Sequence, residues 1–161
     1  MASEIYLKQE CPRIQVSEGM LKKIAGKILK DLGFKQAALS VLLVDTSEMR
    51  KLNRRYLRHA WSTDVLAFSR QTSPRRLKEK VPAQVFPRKD FDFLGDIALC
   101  LPKIRSQAKE YEHTFEEELH YCLCHGILHL LGYEDKNRAA FKKMHRMQRQ
   151  ILTRVKHRAY P

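Results

Sequence analysis

His125 and His129 stand four residues apart in the run His125-Gly126-Ile127-Leu128-His129-Leu130-Leu131-Gly132-Tyr133-Glu134-Asp135. On a helix that spacing puts both side chains on one face, one turn apart, so two imidazole nitrogens can meet at one ion. Gly132 suits the left-handed residue that ends a helix and reverses the chain, which lets Asp135 fold back as a third ligand. Two histidines and a carboxylate with one position left open make an accepted catalytic zinc site. There the metal lowers the pKa of a bound water to about 7 and so generates a nucleophile at neutral pH. The expectation is one zinc ion per chain on His125, His129 and Asp135. Gly126 stands where the zinc metallopeptidase motif carries its glutamate base, so ordinary peptidase chemistry is disfavoured. Cys122 is seven residues, about 10 Å of helical rise, from His129, too far to share an ion. Cys122 and Cys124 therefore read as buried thiols. His145 stays open as a ligand should Asp135 not serve, while His113, His120 and His157 have no usable partner spacing.

The elements that must position this run follow from periodicity. Glu4 to Lys8 reads as a strand, and Ser17 as the N-cap of a helix to Leu32, with Met20, Leu21, Ile24, Ile28 and Leu32 as its buried stripe and Gly33 just past its end. Ala37 to Val44 is almost unbroken apolar sequence, the mark of a central strand. Asp45 with Glu48 resembles a capping box opening a basic amphipathic helix, with Met49, Leu52 and Tyr56 inward and Arg50, Lys51, Arg54 and Arg55 outward. Val65 to Phe68 is a short strand. A long polar loop from Ser69 to about Asp92 holds Pro74, Pro82, Pro87 and the basic cluster Arg75, Arg76, Lys78 and Lys80; loops of that length are often functional. Leu94 to Cys100 is a fourth strand, and Pro102 starts a helix to about Tyr111. Thr114 and Glu117 form a second capping-box pattern ahead of the helix that carries both histidines. A last helix, about Arg138 to Lys156, is expected to bury Phe141, Met144, Ile151 and Val155. Strands interleaved with helices, without repeats or linkers, predict a single α/β (α+β) domain. Its roughly four-stranded mixed sheet would pack with about five helices, the metal site lying at the end of a helix.

Composition narrows the function. A chain of 161 residues, 43% hydrophobic and 30% charged, fits one folded domain and excludes disorder throughout. No apolar stretch nears the ~18 residues of a bilayer span, and the start lacks a secretory apolar core, so a soluble, cytoplasmic protein is expected. Four cysteines without a CxxC pair suit buried thiols in a reducing compartment. The net charge of +13 favours a polyanionic partner, nucleic acid first. Nine basic residues and no acid fall between Lys136 and Pro161; such a run also suits a solvated helix face.

The histidine run resembles the signature of the YbeY family of endoribonucleases in ribosomal RNA maturation. Leu52-Asn53 with Tyr56, then Ser62-Thr63-Asp64-Val65-Leu66-Ala67-Phe68, is similar to that family's LN..Y and PTDVLSF segments, and Leu94-Gly95-Asp96-Ile97 to its LGDI strand. The resemblance spans roughly residues 37 to 147. It implies a zinc held by three ligands and an endoribonuclease specific for single-stranded RNA. Its implied role is in small-subunit ribosomal RNA 3′-end maturation and ribosome quality control, with the small ribosomal subunit and its proteins as partners and no membrane. Several positions depart from the pattern. Asp135 replaces the third family histidine, which would cut the charge of a zinc site from +2 to +1 and weaken its Lewis acidity. Leu57 stands at an arginine linked to catalysis in the family, with Arg58 one residue later, either a phosphate clamp or a solvated helix-end arginine. Ser62 and Ala67 replace a proline and a serine. Arg54, Arg55, Arg58, Lys142 and Arg146 are candidate RNA-binding residues, with salt-dependent binding as the consequence. Attack by a metal hydroxide and by the RNA's own 2′-OH both remain open. So do two other functions: a non-catalytic RNA- or ribosome-binding assembly factor with a structural metal, and a metal hydrolase of another substrate.

Overall fold

The structure is a computed structural model that describes residues 3–57, 63–69, 92–158 and 160. In chain order these form β1 (Glu4–Gln9), α1 (Glu18–Asp31), β2 (Ala37–Val44), α2 (Thr46–Leu57), β3 (Val65–Ser69), β4 (Asp92–Cys100), α3 (Leu101–Glu110), α4 (Phe115–Leu130) and α5 (Arg138–Lys156). The strands make one mixed sheet in the order β1-β2-β4-β3, with β3 antiparallel to β4 and the other pairs parallel. The expected single α/β domain, with four strands and five helices among the described residues, is therefore present.

β2 is central and all eight of its residues are buried, because helices cover both faces of the sheet. Alternation along the strands divides the core in two. Leu39, Val41, Leu43, Ile97 and Leu99 face the layer containing α1, α4 and α5. Leu42, Val44, Leu66, Phe68, Ala98 and Cys100 face α2 through Met49 and Leu52. Tyr56 closes this second cluster, its ring edge-on to Phe68 at 6.0 Å. Caps expected from sequence form as hydrogen bonds: Ser17 accepts from the Met20 amide, Asp45 from the Glu48 amide, and Thr114 and Glu117 bond reciprocally.

Two glycines let α4 lie close on the sheet. The register of β2 against β4 shifts between Ala38 and Leu39, a bulge that leaves Gly95 at φ +144. A Cβ there would sit 2.1 Å from the Phe68 carbonyl oxygen and 2.9 Å from Leu130 Cδ2. At Gly126 a Cβ would lie 3.0 Å from Ile97 Cγ2 and 3.2 Å from Val65 Cγ2, so this position faces the sheet and has no room for the glutamate of a metallopeptidase.

Two core assignments from sequence are corrected. Met20 is 43% and Phe141 is 54% exposed. Met20 sits at the margin of its stripe, about 100° around α1 from Leu21, which is 1% exposed, and Phe141 lies in the first turn of α5, before that helix meets the core at Met144. The interior of α5 is instead Met144, Gln148, Ile151, Leu152 and Val155. The expected basic loop, including Arg75, Arg76, Lys78 and Lys80, lies outside the described residues, as do Arg58 and Ser62.

Candidate metal centre

α4 has its capping box at one end and a chain reversal at the other. At that reversal the Gly132 amide donates to the His129 carbonyl and the Tyr133 amide to the Leu128 carbonyl, with Gly132 at φ +95. This is a Schellman motif, and it folds the following residues back over the last turn. Along α4 the residues Tyr121, His125 and His129 are half-buried while those between them are buried, so the histidines look out from the flank of the helix.

Asp135 does return to them. Its Oδ2 lies 3.4 Å from His125 Nε2 and 3.7 Å from His129 Nε2, and the two Nε2 atoms are 2.8 Å apart. Among the described residues these three alone form a cluster able to ligate a metal. A tetrahedral ion about 2.0–2.1 Å from each ligand atom spaces those atoms about 3.3 Å apart, and the observed separations straddle that value.

The tautomers decide what sits between the rings. His129 Nδ1 donates to the Tyr133 carbonyl at 2.9 Å, an oxygen that can only accept. His125 Nδ1 faces Gln148 Oε1 at 3.3 Å, and the orientation of that amide is set by its own Nε2, which donates to the Tyr121 carbonyl. As a ligand each ring would therefore carry its proton on Nδ1 and present a bare Nε2 lone pair toward the other. Two lone pairs and a carboxylate converging on one point suit a cation. Burial, followed by the neighbouring His125, holds the His129 pKa below the ordinary imidazole value, which favours the neutral ligand form. Gln148 is 1% exposed, and the second-layer role it plays here was signalled in sequence only by a polar residue within the apolar stripe of α5.

A cleft of about 790 Å³ opens from His125 and Asp135 along α4 and is bordered by Asp64, Glu118, Tyr121 and His145. His145 bonds to the Tyr121 hydroxyl and is not among the clustered ligands. Sequence reasoning gave no role to Glu118 or His113, yet His113 Nδ1 lies 3.1 Å from Glu118 Oε2 at the cleft floor. The signal lay in spacing, Glu118 being seven residues before His125. Burial raises the pKa of Glu118, and it raises that of Cys122 well above the ordinary thiol value and that of Cys124 to about 12. Both cysteines are therefore thiols, as expected.

The candidate RNA contacts are dispersed. Arg54 and Arg55 are exposed on α2, whose last residue, Leu57, shares a shallow groove with His129 and Glu134. Lys142 and Arg146 are exposed on α5. Arg58 falls outside the described residues.

Comparison with known proteins agrees along the chain. A family model described as endoribonuclease YbeY matches residues 6–156. A protein named Endoribonuclease YbeY from Clostridium botulinum (strain Eklund 17B / Type B) is 33% identical over 159 residues, covering 92% of this chain and 96% of its own. One of the same name from Bacillus cereus (strain ATCC 10987 / NRS 248) is 35% identical over 134 residues, 83% of each chain. The solution structure of TM1509 from Thermotoga maritima is similar with TM-score 0.56 and 26% identity, over 96% of this chain and 92% of that one.

Proposed function

The chain belongs to the YbeY endoribonuclease family, and from that premise we propose that it is a zinc-dependent endoribonuclease specific for single-stranded RNA. We place its action in small-subunit ribosomal RNA 3′-end maturation and ribosome quality control, in the cytoplasm, with the small ribosomal subunit and its proteins as partners. No described helix is long and apolar enough to cross a membrane, which accords with that setting.

The observation that carries this reading is the convergence of His125 Nε2, His129 Nε2 and Asp135 Oδ2, each imidazole held in the ligating tautomer by its Nδ1 hydrogen bond. These three residues would hold one zinc. When bound, the ion would supply Lewis acidity for phosphodiester cleavage and lower the pKa of water toward about 7. The protein's own part is positioning. Gln148 and the Tyr133 carbonyl fix the rings, the Schellman turn fixes Asp135, and exposed Lys142 and Arg146 on α5, with Arg54 and Arg55 on α2 and Arg58, hold the RNA backbone. With aspartate as third ligand, Lewis acidity is weaker than with three histidines.

The test is metal analysis of the purified protein and its His129→Ala and Asp135→Ala variants, each assayed on a single-stranded RNA. About one zinc per chain, lost together with cleavage in both variants, is the expected result. Zinc retained by Asp135→Ala would remove Asp135 from the ligand set. A parent that holds zinc and binds RNA without cutting it would be an assembly factor.

A further inference from the structure

The cleft beside the metal cluster has features that metal binding does not use. α4 forms its floor, and the two helices that flank α4 each bring an aromatic ring: Tyr111, the cap residue just past the end of α3, is 55% exposed, and Phe141, in the first turn of α5, is 54% exposed. Each ring has a histidine beside it, Tyr111 tilted against His113 and Phe141 offset from His145, yet both stay open enough to water to offer a stacking face at the rim of the cleft. Phe141 lies nearly parallel to His145, at 11° and 6.4 Å between centroids, an offset pair that leaves more than half of Phe141 open to water.

Three side chains of the cleft bring hydrogen-bond acceptors to it. Gln107 Oε1 is shielded from solvent and has no hydrogen-bond partner. Glu118 and Asp64 place carboxyl groups on the floor. A phosphate would meet like charge there, whereas exposed Arg149 on α5 borders the same cleft and suits the strand's backbone. A flat, neutral ring bearing N–H donors meets none of that repulsion.

We propose that this cleft is a nucleobase subsite, resting on the endoribonuclease reading, in which one unpaired, amino-bearing base next to the scissile phosphate stacks between Tyr111 and Phe141 and donates to Gln107. Stacking on aromatic side chains is the common way proteins hold splayed bases of single-stranded RNA. A paired base cannot enter, so the subsite gives selection for single strands a physical basis. Adenine, cytosine and guanine bring an exocyclic amine to the acceptors; uracil has only its N3–H, set between two carbonyls that the carboxyl groups disfavour.

The test measures affinity rather than turnover. Fluorescently labelled oligocytidylate, oligoadenylate and oligouridylate octamers are titrated by anisotropy into the metal-free protein and into Phe141→Ala, Tyr111→Ala, Phe141→Trp and Gln107→Leu, with zinc uptake measured alongside. Expected are weaker oligouridylate binding by the parent and a loss of roughly tenfold in cytidylate and adenylate affinity in each alanine variant. Phe141→Trp retains affinity, Gln107→Leu narrows the gap between bases, and all variants take up zinc like the parent. Unchanged affinity in both alanine variants, or uridylate bound as tightly as cytidylate, overturns the subsite. Base-selective binding without RNA cleavage by the zinc-loaded parent would keep the subsite and sink the nuclease reading; cleavage with base-blind binding would do the reverse.

Discussion

Replacing Gln148 by leucine removes the acceptor that orients His125 while keeping the apolar stripe formed by Met144, Ile151 and Leu152. Loss of an outer hydrogen-bond partner to a metal-binding histidine typically lowers metal affinity 10- to 100-fold, about 1.4–2.7 kcal/mol. The bond here is 3.3 Å, at the long end for an N–H···O contact, so the loss should lie near tenfold. Folding should survive, because the bond to the Tyr121 carbonyl, worth about 1 kcal/mol, is offset by burying a leucine at a site only 1% exposed. Gln148→Glu is the informative companion: it keeps an acceptor for the ring, although its second oxygen then faces the Tyr121 carbonyl, and it should hold zinc more tightly than Gln148→Leu. Competition with a chromophoric chelator at fixed pH reads both variants, and thermal melts show whether each is folded. If folded Gln148→Leu binds zinc like the parent, the orienting bond does not matter. If leucine and glutamate weaken binding equally, packing rather than hydrogen bonding was responsible.

Burial first, then the charges of Lys156 and Arg158, lowers the pKa of His120 from 6.5 to about 4. Between those values the unfolded chain binds a proton that the native chain does not. Stability should therefore be full above pH 6.5 and fall by up to about 3 kcal/mol as pH drops toward 4. Urea melts across that range check the slope, which His120→Leu should flatten. Gly126→Ala puts a methyl 3.0 Å from Ile97 Cγ2 and should cost about 1–3 kcal/mol in the same melts; parent-like stability would mean that α4 does not sit this close to the sheet. Lys142→Ala and Arg146→Ala should each reduce the salt slope of RNA binding by about 0.7 if each contacts one phosphate, and leave it unchanged if α5 presents a merely solvated face.

Several features of the fold were legible because they are local. Ser17, Asp45 and the Thr114–Glu117 pair cap helices by bonds spanning three residues, and β2 is readable as central from an apolar run that only a doubly covered strand carries. The pairing of His125 with His129 follows from helical geometry, and the reversal toward Asp135 from a glycine in the left-handed region. Periodicity misled at Phe141, since it describes a helix face and is blind to where the neighbouring layer ends, and at Met20, which sits on the margin of its stripe.

Tertiary structure decided the rest. The proton positions on the two histidines depend on Gln148, contributed by a helix 23 residues away from His125 in sequence, and on a backbone carbonyl exposed by the turn. Gly126 is a glycine because Ile97 and Val65 crowd it from two strands. The cleft exists because α3, α4 and α5 meet around residues that no sequence spacing relates. Sequence fixes what depends on neighbours within a turn or two of chain; distant segments must pack before a lone pair acquires a direction or an aromatic ring is left facing water.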